Sequence, residues 1–160
     1  MSENKKYMRI ALKQAKKAFL AGEVPIGAVI VYNGKVIARA YNKRNSKKMA
    51  TAHAEILAIE KACKKLGDWR LDGAEMYVTL EPCPMCAGAI ANARIKKVYF
   101  GAYERKSGAV FSNFRILYSS GLNHEVEAEG GLLNDECSSL LKIFFENKRK
   151  GAEHSLNKVD

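Results

Sequence analysis

Four residues stand out by type and spacing: His53 and Glu55 in Thr51-Ala52-His53-Ala54-Glu55, and Cys83 and Cys86 in Pro82-Cys83-Pro84-Met85-Cys86. Cysteines three apart lie on one face of a helix, so Cys83 and Cys86 can grip a single ion. With Pro82 and Pro84 marking the first turn, both sulfurs sit at the positive end of the helix dipole, which favours the thiolate a metal requires. His53 and Glu55 would point about 200° apart in mid-helix. At the very start of a helix, with Thr51 as its N-cap, their side chains can instead converge on something lying off the end. One His and two Cys supply three protein ligands to Zn²⁺ and leave its fourth tetrahedral position for water, the pattern of a catalytic centre rather than a structural one.

The spare cysteines do not complete that set. Cys63 lies on the same expected helix as His53, ten residues on and roughly 15 Å along the axis, and Cys137 has no partner at ligand spacing and reads as a small buried residue. His124 and His154 are expected in a loop or tail. Zinc with two thiolates and a neutral imidazole carries no net charge, so it acidifies water less than zinc held by three histidines. Glu55 can take the proton from that water and return protons to a ring nitrogen and to a leaving amine. That is chemistry for hydrolysing an amidine-like C–NH₂ group, and His-x-Glu with Pro-Cys-x-x-Cys is the pattern of zinc nucleobase deaminases.

The elements that must hold these residues follow from periodicity. Met8, Leu12, Ala15 and Phe19 fall at helical spacing, and Gly22 and Pro25 end that helix. Runs 26–32 and 35–41 read as strands joined by Asn33-Gly34, a strong hairpin signal, and the basic stretch 42–48 reads as a loop. A helix is expected from Thr51 to Leu66, stopped by Gly67, then a strand over 76–80 and a helix over 83–93. Strands follow at 97–101 and 125–129, with an irregular or short helical segment between, and a last helix over 135–148 capped by Asn134. This alternation argues for an α/β fold, one sheet covered by helices on both faces.

A chain of 160 residues suits one domain able to bury a real core. The longest apolar stretch, 24–32, is far short of the ~20 residues a membrane helix needs. The N-terminus runs straight into an amphipathic segment without a signal-peptide core, so the cytoplasm is the expected compartment. With 27 basic and 17 acidic residues, the net charge of +10 favours a polyanionic partner, although a solvated lysine surface has the same composition.

Beyond the metal motifs the chain resembles the bacterial tRNA-specific adenosine deaminases. The likeness lies in Glu23-Val24-Pro25-Ile26-Gly27-Ala28-Val29, in Thr51 to Glu55, in Tyr77 to Ile90, in Gly121-Leu122-Asn123-His124 and in Phe144-Phe145-Glu146-Asn147-Lys148-Arg149. It implies a single deaminase domain over 1–150 with a short polar tail over 151–160. The implied fold is the three-layer cytidine-deaminase-like one, a five-stranded mixed sheet between helices, acting as a homodimer with one Zn²⁺ per chain. The implied reaction converts adenosine to inosine at the wobble position of a tRNA anticodon, with zinc-activated hydroxide attacking the base and Glu55 shuttling protons. By the family's pattern Asn42 contacts the flipped base, Ile26 and Leu80 flank it, and Asn123, Phe144 and Phe145 contact neighbouring anticodon nucleotides. Aromatics beside Lys148, Arg149 and Lys150 suit that role, because loop bases are read by stacking and edge hydrogen bonds. The departures cluster after Gly101-Ala102: Glu104 stands where the family usually has Asp, and Phe111 where it has Gly. Two other readings remain, a deaminase of a free base such as guanine or cytosine, and a non-catalytic zinc module that binds RNA and has no use for Glu55.

Overall fold

The computed structural model describes residues 2–118, 121 and 124–157, with side chains described as far as 151. Helix α1 (Glu3–Leu20) starts at Ser2, whose hydroxyl accepts from the Lys5 amide at 3.3 Å, and buries Met8, Ala11, Leu12 and Ala15 along one stripe. Strands β1 (Gly27–Tyr32) and β2 (Lys35–Tyr41) form the expected hairpin, with Asn33 and Gly34 at φ of 50° and 74°. Positive φ at both turn positions matches the twist of the flanking strands.

A single turn of helix, α2 (Arg44–Lys47), occurs inside the stretch expected to be loop. Then come α3 (Ala54–Leu66), β3 (Glu75–Leu80), α4 (Pro84–Asn92), β4 (Lys97–Ala102), a 3₁₀ turn (Ile116–Tyr118), β5 (Glu127–Glu129) and α5 (Asn134–Asn157). Two expected boundaries are corrected. Helix α3 begins at Ala54, not Thr51, because His53 keeps an extended backbone (φ −76°, ψ 153°) and serves as the N-cap itself. Helix α5 continues past Lys148 into the segment expected to be a tail. Residues 146–150 are mostly good helix formers, and one glycine at 151 costs only about 1 kcal/mol.

The sheet order is β2-β1-β3-β4-β5, with β1 antiparallel to β2 and β3, and β3–β4 and β4–β5 parallel. This is the expected five-stranded mixed sheet. Strand alternation separates the two cores. Ala28, Ile30, Met76, Val78, Val98 and Phe100 pack with α3 and α4, while Val29, Val31, Tyr77 and Tyr99 pack with α1 and α5. A Cβ at Gly27 would overlap the Ala11 carbonyl, so α1 lies on β1 at a distance only glycine tolerates. Because β1 runs antiparallel to β3, the start of β1 meets the end of β3, and the Gly27 amide donates to the Thr79 hydroxyl at 3.1 Å. Residues before β1 and after β3 therefore share one edge of the sheet. Among the described residues no helix is long and apolar enough to cross a membrane.

Candidate active site

Two helix starts face each other at that edge. His53 caps α3, Cys83 caps α4, and Cys86 lies in the first turn of α4 behind Pro84. Neither His53 nor Cys83 has entered its helix, so both side chains swing off the helix ends. This resolves the rotation between His53 and Glu55 with a cap two residues later than the expected Thr51. The His53 Nδ1 lies 3.7 Å from the Cys83 Sγ and 3.5 Å from the Cys86 Sγ. A tetrahedral Zn²⁺ with ordinary Zn–N and Zn–S bonds separates its N and S ligands by about 3.6 Å. The three donor atoms all lie within 4.8 Å of one another, and among the described residues no further His, Cys, Asp or Glu joins them. The donor set fits zinc. Cys63 and Cys137 stand apart as expected, Cys63 donating to the Trp69 carbonyl and Cys137 buried in α5.

Protonation in the site is unequal. A hydrogen bond from the Cys86 thiol, with His53 adding to it, pushes Cys83 down to about 4. Donating that bond, together with burial, drives Cys86 upward. The same Cys83 sulfur raises His53 against the effect of its burial. The thiolate, the form a metal ligand requires, is thus favoured at Cys83. Glu55, 4% exposed at the second position of α3, is pushed up to about 7, chiefly by burial. A carboxyl poised there can both take and give a proton near neutral pH.

Glu55, His53 and Cys83 open onto a cavity of about 170 Å³ also lined by Val24, Ile26, Asn42, Arg44, Leu80, Glu81, Glu104 and Ser107. Pockets that enclose drug-sized ligands run to about 300–1,000 Å³, so this one suits a single flat ring system with the rest of its molecule outside. Asn42 is buried and oriented at both ends: its Nδ2 donates to the Val24 carbonyl at 3.3 Å and its Oδ1 accepts from the Arg44 amide at 3.1 Å. The amide group still carries a second N–H and a second lone pair for a ligand.

The model of the MafB19-like deaminase family matches residues 2–149. The tRNA-specific adenosine deaminase of Bacillus subtilis (strain 168) is 51% identical over 150 residues, 94% of this chain and 93% of that protein. This chain belongs to the tRNA-specific adenosine deaminase family. A solved structure from work on A-to-I editing by tRNA:A34 deaminases at the wobble position of transfer RNA has a TM-score of 0.82 at 46% identity, covering 84% of this chain and 98% of that one. A guanine deaminase structure from Bacillus subtilis has a TM-score of 0.59 at 44% identity, covering 61% of this chain and 63% of that one.

Within this deaminase the residues expected at the substrate separate into groups. Asn42, Ile26 and Leu80 line the pocket with Glu55. Phe144 and Phe145 lie elsewhere on α5 and differ from each other. Phe144 is 7% exposed and packs edge-on against Phe19, whereas Phe145 is 42% exposed. Only Phe145 offers a free face. Asn123 lies outside the described residues, as does the His154 side chain, and His124 sits in a bend with its Nε2 2.8 Å from the Ile95 carbonyl. Of the two departures in the variable loop, Glu104 lines the pocket while Phe111 turns away to pack on Phe100 and Tyr118. Sequence reasoning missed Glu23 and Glu81, two buried carboxylates that accept from loop N–H groups. No local signal marked them: in the sequence an acid beside Gly22 or before Pro82 reads like any solvent-exposed carboxylate, and their burial appears only in the fold.

Proposed function

We propose that this deaminase hydrolyses adenosine to inosine at the wobble position of a tRNA anticodon, with one zinc per chain held by His53, Cys83 and Cys86. Zinc, when bound, supplies the Lewis acidity that makes a water nucleophilic near neutral pH. The observation that carries the reading is Glu55 buried in the lining of a ring-sized pocket beside three donors spaced for zinc. Glu55 accepts a proton from water and delivers it to the ring nitrogen next to the reacting carbon, then takes the proton of the hydroxyl now on that carbon and delivers it to the departing amine. Adenosine and water thereby give inosine and ammonia. Asn42 hydrogen-bonds an edge of the base, and Ile26 and Leu80 hold its faces. Asn123 and Phe145 contact the neighbouring nucleotides, Phe145 by stacking. Phe144 supports Phe145 from beneath.

The net charge of +10 and the basic run at 148–150 beside Phe145 favour a polyanion over a free base. The similarity to a guanine deaminase makes free guanine the rival substrate. Anticodon stem-loop RNA carrying a wobble adenosine, assayed beside guanine, cytosine and their nucleosides, tests the choice. Inosine in the stem-loop with the free bases unchanged is the expected result, and turnover of guanine alone overturns it. The cytoplasm and a homodimer belong to the same proposal, and light scattering at twice the chain mass is expected.

A further inference from the structure

We infer that Glu81 is a positioning residue: its buried carboxylate fixes the 104–112 loop as one wall of the substrate pocket and so sets how tightly the base is held. The inference rests on the deaminase reading above. Five donors from that loop converge on the one side chain. The amides of Val110, Phe111 and Ser112 donate to Oε2 at 3.1, 2.8 and 2.9 Å. The Glu104 amide donates to Oε1 at 3.2 Å, and the Ser112 hydroxyl donates to the same oxygen. Glu81 is 2% exposed and forms no ion pair with a described residue, so the loop's own N–H and O–H groups are what offsets its charge.

The geometry ties this carboxylate to the pocket from both sides. Along the chain, Glu81 separates the pocket residue Leu80 from Pro82 and the donor Cys83, and the Pro82 carbonyl accepts from the Ala109 amide at 2.8 Å. Across space, the gathered loop carries Glu104 and Ser107 into the pocket lining. Between the end of β4 and the 3₁₀ turn the loop has no strand or helix to shape it. A Cβ at Gly108 would overlap the Glu81 carboxyl group, so the loop closes down on it as only glycine permits. A glutamine at this position would turn one acceptor oxygen into a donor facing N–H groups, and the loop would have to move away.

The test uses the zinc-loaded full chain with anticodon stem-loop RNA, comparing wild type with Glu81→Gln by kinetics, zinc analysis and amide hydrogen exchange. The expected result is a KM raised about tenfold or more, kcat within about threefold, one zinc per chain, and lost protection at the amides of 104 and 110–112 while β3 keeps its own. Ser112→Ala, which removes a single donor, should move KM the same way by about threefold and serves if the first variant does not fold. A merely structural role would lower stability and the active fraction and leave KM unchanged. Unchanged KM with protected loop amides overturns the inference, and so does loss of zinc, which would assign Glu81 to the metal. Wild type inert on the RNA would instead overturn the function reading, leaving hydrogen exchange to decide whether Glu81 holds the loop.

Discussion

The floor of the pocket and its walls are built on different terms. At the floor, His53, Cys83 and Cys86 hang on the starts of two helices, and the separations among their donor atoms are what a tetrahedral ion demands. The walls, residues 42–48 and 103–112, are mostly irregular chain, and each is gathered by one buried carboxylate. Glu23 accepts from the amides of Asn45 and Ser46 at 3.0 and 2.7 Å, as Glu81 does from the opposite loop. At the floor the fit to a tetrahedral ion depends on the type and position of each donor atom. The walls can change sequence while keeping their anchors, and Glu104 and Phe111, the departures from the family's pattern, fall there.

Breaking the floor should give the largest effects. Cys86→Ala is expected to remove zinc from the purified protein, read by elemental analysis, and to abolish turnover. Glu55→Ala should keep one zinc per chain and lower kcat by about 10³-fold, within the range that positioned acid–base groups supply. Zinc loss in this variant would place Glu55 in the donor set and erase the division of labour at the floor.

The periphery should respond more weakly and more selectively. Phe145→Ala should weaken RNA binding about tenfold, as removal of a stacking aromatic does. Phe144→Ala should instead lower thermal stability and leave RNA affinity near wild type, since its ring is spent on packing against Phe19. Equal effects of the two variants on RNA would contradict the split between them. The smallest effect concerns Glu23. Burial raises its pKa, but the Ser46 and Asn45 amides, the Ser46 hydroxyl and Arg44 outweigh this and hold it below the ordinary carboxylate range. A depressed folded value contributes stability above about pH 4.3, the unfolded value, and loses it as pH falls through the folded one. The Tm gap between wild type and Glu23→Gln should therefore be widest near pH 7 and close in acid.

What was legible in the sequence follows the same division. His53, Cys83 and Cys86 could be picked out from type and spacing because coordination chemistry constrains such a set, Glu55 because it stands two residues from His53, and the Asn33-Gly34 turn because only certain residues accept its backbone. The layers followed from the alternation of helices and strands along the chain. The start of α3 was misplaced because Thr51 is an ordinary N-cap, and nothing local says that a histidine must remain outside the helix to aim its ring. The loop anchors escaped because Glu81 meets Val110, Phe111 and Ser112 across about thirty positions, and no periodicity reports a contact that distant. Phe144 and Phe145 carry the same chemistry, and only the packing of α5 against α1 tells them apart.

X-ray absorption at the zinc edge of the metal-loaded enzyme tests the floor most directly. One nitrogen and two sulfurs at ordinary zinc bond lengths, with a single oxygen completing four-coordination, is the expected spectrum. A third sulfur or a second nitrogen from the protein would contradict it, because the position facing Glu55 and the pocket would then be closed to water.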